Sequence, residues 1–343
     1  MNLKSLLFLF LFIPCFALAN EASVQGPDGH LRVTVTDAGG HAAYSVTYNE
    51  KTILEASPLG LVTNTGDFTQ GMTLKQHTYN DVADDYTLDR CKQSRVSYRA
   101  KAMKVSFTNK EGEAIEVLFQ VSNNDIAFKY LLPRNGEAAC CVVKSEATGF
   151  DFPSGTTTFI CPQSDPMIGW QRTKPSYEEE YTPDEPIGTP SKYHQGYTFP
   201  CLFHIGDCWA LVSETGVSGK YCGSHLSDGT PDGLYTLAYP MEGENNGFGS
   251  TGAQIALPGE TPWRTLTVGD NLRPIVETTI AFDVVKPLYE ASTSYQYGRS
   301  TWHWMIWDDA SCNVTDVKKF MDLSADMGYE YTLIDGLWDR QIG

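Results

Sequence analysis

Over some 265 residues, from 21 to about 285, polar and apolar residues change places at every second position, and Gly, Asn and Asp interrupt the alternation at short intervals. LRVTVT (31–36), AYSVTY (43–48), VSYRA (96–100), KVSFTN (104–109) and IEVLFQVS (115–122) are examples. A period of two is that of a half-buried strand, and almost no helical periodicity interrupts it. So long a run exceeds what one small sandwich needs. It predicts a large two-sheet antiparallel domain, able to bury its core without help from metals or disulfides. No internal repeat or low-complexity tract breaks the pattern.

The style changes at Arg299. The stretch RSTWHWMIWDDASCNVTDVKKFMDLSADMGYEYTLIDGLWD (299–339) predicts a strand, a loop, a helix and a second strand. The aromatic run 302–307 is expected to be a strand with both faces buried. Asn313 and Asp316 stand at N-cap and N3 spacing and open a helix of about four turns. Val317, Phe320, Met321, Ser324 and Met327 give it one apolar or small face, and Gly328 ends it. The second strand, 329–334, runs into Asp335, Gly336, Leu337, Trp338 and Asp339. A parallel βαβ unit with carboxylates and tryptophans just past its strand ends is how a (β/α)8 barrel begins to assemble a site. A full barrel needs about 250 residues. Only 45 remain from Arg299 (343 − 299 + 1), so the expectation is a barrel truncated after its first unit. Residues 286–299 hold one proline, small residues and three tyrosines, and are expected to be an ordered linker.

At the other end, Lys4, an apolar run over 6–16, and Ala17 and Ala19 before Asn20 have the form of a secretory signal peptide, 1–19. The run is short for a membrane span, and the expected compartment is the periplasm. Removing it takes away one positive charge, from −17 to −18. Such acidity argues against nucleic acid and anionic membranes as partners. Eight of the nine cysteines remain, none in C-x-x-C spacing. Export permits disulfides, and buried free thiols are equally open.

Several pieces, in order, carry a resemblance: SPLGLV (57–62), VSNNDIAFKYLLP (121–133), SEATGFDFP (145–153), SYEEEYT (176–182), CWALVSETGVSGKY (208–221), TPWRTLTVGD (261–270) and the barrel entry. Together they resemble glycoside hydrolase family 97, exported bacterial α-glucosidases and α-galactosidases. The resemblance implies an amino-terminal β-supersandwich of the galactose-mutarotase type, in agreement with the alternation. It also implies an oligosaccharide substrate, cleaved by a carboxylic acid that protonates the leaving oxygen and a second carboxylate that activates water or attacks the sugar. Both lie on later barrel strands in that family. Catalytic residues are therefore expected beyond residue 343, and this chain alone is expected to show no turnover. The family's calcium ion is held largely by glutamates, one from the amino-terminal domain. The best match here is Glu178, in the Y-E-x-x-Y pattern of Tyr177, Glu178 and Tyr181. Calcium wants six to eight oxygen ligands, for which such a loop glutamate is suitable. The plainer reading makes 178–180 a solvated acidic loop. Where the family usually has a glutamate after the aspartate matching Asp335, this chain has Gly336.

Among the remaining candidates, Trp307, Asp335 and Trp338 are expected to face the sugar, because sugar C–H faces stack on indoles while hydroxyls need polar partners. Trp302 and Trp304 are expected in the core, and Asp308 and Asp309 either functional or capping. Glu214 is expected to serve a structural hydrogen bond. His194, His204 and His225 lack metal-ligand spacing, and Ser57, Ser213 and Ser224 lack a nucleophile elbow. Two functions stay open: the front portion of a calcium-dependent α-glycosidase, or a non-catalytic carbohydrate-binding or structural β-sandwich module.

Overall fold

A computed structural model of the chain describes residues 19–165, 179–241, 244, 252–289 and 291–336. The chain divides into two compact units, 1–286 and 287–343.

The first unit is mainly β and antiparallel. A four-stranded meander, Glu21–Gln25, Leu31–Thr36, Ala43–Tyr48 and Lys51–Pro58, forms one sheet. Its alternation is visible in burial: Leu31, Val33 and Val35 are inside, with Tyr44, Val46 and Tyr48 from the next strand. Against it, in one core, lies a long curled sheet of thirteen strands among the described residues. Tyr44 from the meander meets Phe128 and Phe119 of the large sheet at ring separations of 5.2 and 6.0 Å. At the middle of the large sheet, Trp263–Gly269 pairs with Cys208–Thr215 on one side and Asp125–Leu132 on the other, and every residue of it is buried. The sheet ends in a hairpin of unusual length, Thr73–Thr87 with Arg95–Thr108. The segments read as separate strands over 96–100 and 104–109 are one continuous strand there, Arg95–Thr108. No disulfide joins the described cysteines.

The second unit is a parallel βαβ. Ser300–Trp302 pairs with Tyr331–Leu333 in the register Ser300↔Tyr331, Thr301↔Thr332, Trp302↔Leu333. Between them runs the helix Val314–Asp326. Its start is a side-chain N-cap in which Asn313 Oδ1 accepts from Asp316 N at 3.0 Å, and Asn313 Nδ2 donates to Asp316 Oδ2 at 2.7 Å. Its end is Gly328 at φ +63°, a left-handed conformation that a side chain would strain. Val317, Phe320 and Ser324 are the buried face, whereas Met321 and Met327 are exposed. Ser324 does more than leave room. Its hydroxyl donates to Tyr331 O at 2.8 Å and accepts from Thr332 at 2.9 Å, while Thr301 donates to Phe320 O at 3.0 Å.

One expectation is corrected here. The run 302–307 is not a strand: the strand stops at Trp302, and Trp304–Trp307 is a helical turn. Nor are Trp302 and Trp304 core residues, since each is 37 % exposed. The cause is local bonding that an aromatic run does not announce. His303, fully buried, shares a hydrogen bond with Ser311 Oγ at 2.7 Å, and that hydroxyl donates to Asp308 O at 2.7 Å. The tie folds the chain back at once, with Asp308 held at φ +52°.

Candidate functional site

The carboxyl ends of the two parallel strands gather the polar chemistry of the second unit. Trp302 closes the first strand, and its indole N–H donates to Asp335 Oδ2 at 2.8 Å. The other oxygen, Oδ1, accepts from Gly336 N at 2.6 Å. Two residues on, Trp304 stacks on Trp302 with ring centroids 5.8 Å apart and planes 21° from parallel. Its own N–H donates to Asp309 Oδ1 at 2.8 Å. The Cys312 thiol lies in the field of both carboxylates, and partial burial together with Asp309 and Asp335 pushes its pKa up. Two aspartates thus converge beside a stacked indole pair, each holding one indole proton. Carboxylate oxygens that already accept an indole proton keep lone pairs for further hydroxyl donors.

Of the residues singled out from sequence, Asp335 sits where expected, just past the second strand. Trp307 has a different setting. Its ring meets Phe320 edge-on at 4.9 Å, and the Lys319 ammonium lies 5.4 Å over it. The indole that meets Asp335 is that of Trp302. Trp338 and Glu178 lie outside the described residues. Next to the latter, Glu179 is not a solvated loop residue: its carboxylate accepts from Lys192 Nζ at 3.0 Å and from Tyr193 OH at 3.2 Å. Tyr181 stacks on Phe159 at 4.7 Å. The segment is therefore fastened to the sandwich immediately after Glu178. With Glu179 already engaged, the described residues do not supply the six to eight oxygens that calcium requires.

A second polar centre lies inside the sandwich. Arg264, in the central strand, is fully buried and makes a two-pronged pair with Glu146, Nε to Oε1 at 3.1 Å and Nη2 to Oε2 at 2.7 Å. Its third nitrogen, Nη1, reaches Glu214 Oε2 at 2.6 Å. Glu214 also accepts from Ser224 N and Oγ at 2.8 and 2.7 Å. Tyr221 OH and Thr148 Oγ1 donate to Glu146 at 3.0 and 2.9 Å. Burial opposes the Arg264 charge, but the two glutamates outweigh it, and its pKa is raised. Every donor of this cluster is engaged within the fold, so its work is structural. The sequence reading passed over Arg264. The signal was a cation inside an apolar strand, which demands buried partners.

A mainly-β supersandwich carrying a parallel βαβ unit with aspartates past its strand ends is the class these observations define. The chain belongs to glycoside hydrolase family 97: the family model described as glycosyl-hydrolase 97 N-terminal matches residues 24–287. A crystal structure of a β-arabinopyranosidase is similar at 53 % identity and TM-score 0.89, over 94 % of this chain and 52 % of that one. A probable retaining α-galactosidase of Streptomyces bingchenggensis (strain BCW-1) is 26 % identical over 96 % of this chain and 49 % of its own. A family 97 enzyme from Pseudoalteromonas sp. strain K8, solved with panose, shares the fold at 19 % identity and TM-score 0.74, over 92 % of this chain and 47 % of its own. This chain spans about half the length of the relatives it matches.

Proposed function

We propose that the chain is the amino-terminal portion of an exported glycoside hydrolase that removes a terminal sugar of galacto configuration, an α-galactoside or a β-L-arabinopyranoside. The observation that carries this reading is the 53 % identity to a β-arabinopyranosidase across 94 % of the chain. β-L-Arabinopyranose has the ring stereochemistry of α-D-galactopyranose and lacks only its exocyclic CH₂OH. One site can therefore be built for either. In this reading Asp335 accepts sugar hydroxyls, Trp338 supplies an apolar face, and the acid and its partner carboxylate come from strands beyond residue 343. A retaining outcome, as named for the Streptomyces relative, requires those two carboxylates about 5–5.5 Å apart. Calcium belongs to the proposal through Glu178, completed by carboxylates that the described residues do not supply, and no step is routed through it.

The test is hydrolysis of 4-nitrophenyl α-D-galactopyranoside and β-L-arabinopyranoside by two purified proteins, the 343-residue chain and the product of the reading frame continued past Gly343. Turnover by the longer protein alone is expected. Hydrolysis by the 343-residue chain overturns the placement of the catalytic carboxylates, and hydrolysis of an α-glucoside in preference to both substrates overturns the galacto assignment.

A further inference from the structure

We infer that Trp302 and Trp304 are positioning residues, whose indole N–H groups aim Asp335 and Asp309 at hydroxyls of the bound pyranose. The inference rests on the sugar-cleaving reading above and assigns Asp309 as a second hydroxyl acceptor beside Asp335. Trp302 N–H reaches Asp335 Oδ2 and Trp304 N–H reaches Asp309 Oδ1, both at 2.8 Å. An indole donates one hydrogen bond and accepts none, so it fixes a carboxylate oxygen without competing for a hydroxyl proton. An ionised carboxylate offers about four lone-pair sites. Asp335 uses one for Trp302 and one for Gly336 N. Among the described residues no further donor takes the remainder.

The two indoles are stacked on each other, so the contact between the rings ties the position of one carboxylate to that of the other. Between them the buried His303 ties the backbone to Ser311 through one ring nitrogen. Stability does not explain the arrangement. Both indoles and Asp309 are exposed and Asp335 is half-buried, and hydrogen bonds between such groups contribute little to folding. The same donor–acceptor pairing occurs twice, past the end of one strand and past the end of its neighbour, where a parallel barrel builds its site.

The experiment uses the full-length protein and its Trp302→Phe, Trp304→Phe, Asp335→Asn and Trp302→Phe/Asp335→Asn variants. Phenylalanine keeps a ring for stacking and removes the donor. Binding of free L-arabinose and D-galactose is measured by calorimetry, and KM and kcat with the aryl β-L-arabinopyranoside. Trp302→Phe should weaken sugar binding and raise KM about tenfold, with kcat changed less than about threefold and the melting temperature nearly unchanged. In the Asp335→Asn background the same change should add almost nothing, because the indole acts through that carboxylate. An affinity within about twofold of the parent, or an undiminished loss in the Asp335→Asn background, overturns the inference. Because binding is read without turnover, a parent that binds sugar but cleaves neither glycoside removes the proposed function alone. A parent that binds neither sugar removes both.

Discussion

At the scale of single residues, Arg264 shows what a buried charge demands. Replacing it with methionine leaves Glu146, itself fully buried, with an uncompensated charge, and the expected loss is about 3–5 kcal/mol in urea unfolding. Changing both partners, Arg264→Met with Glu146→Leu, should recover much of that loss, since two apolar side chains of similar volume need no counter-ion. If the double variant is no more stable than Arg264→Met, the penalty lies in packing rather than in charge. The strand around Arg264 was legible from its alternation, but the partner of the cation was not. Glu146 is 118 residues away, and nothing in either local sequence names the other. Trp302 and Asp335 pose the same difficulty over a shorter span, because only the parallel register brings one to the other.

At the scale of elements, the legible parts are those whose signals are local. The helix Val314–Asp326 was readable at both ends because Asn313, Asp316 and Gly328 act within a turn of their own positions. Asn313→Ala should therefore lower the stability of the second unit by about 1 kcal/mol, read as an earlier thermal transition in tryptophan fluorescence. The turn at 304–307 was not readable, since the His303–Ser311 bond that makes it joins residues whose spacing carries no helical or strand period. The long hairpin poses a further question of docking. Asp283 accepts from Tyr86 OH in the hairpin and from Thr279 at 3.0 Å, with Asp125 and Asp84 nearby. Burial first, and those two carboxylates after it, raise its pKa from 3.8 to about 6. Sign follows from linkage: the folded form holds the proton more tightly, so this stabilisation is complete below 3.8 and is lost as pH rises through about 6. Asp283→Asn cannot titrate. The stability of the parent relative to that variant should rise between about pH 7.5 and about pH 4.5 in urea unfolding, and a constant difference would falsify the linkage.

At the scale of the whole molecule, the supersandwich was legible because a period-two pattern sustained over so many residues admits few architectures. The site was legible only in part, since it draws on side chains that the pattern does not order. On the galacto reading proposed above, substrate choice is set by what occupies the space beside Asp335. The resemblance to the family leads one to expect a glutamate there, and this chain has Gly336, with no side chain at that position. If the vacated position lies beside C5 of the sugar, Gly336→Glu in the full-length protein should lower kcat/KM for the α-galactoside and the β-L-arabinopyranoside unequally. An equal change for both would place the position away from C5. Calcium provides the remaining test at this scale. On the calcium proposal Glu178, too few on its own for a hard cation that takes six to eight oxygens, is joined by carboxylates elsewhere in the longer protein. Glu178→Ala should then weaken calcium binding in the full-length protein by at least about tenfold, while the 343-residue chain shows only weak binding with or without the substitution. Calorimetry on the four proteins separates the cases: tight binding by the 343-residue chain would place the whole site within it, and an unchanged affinity in the full-length variant would remove Glu178 from the ligand set.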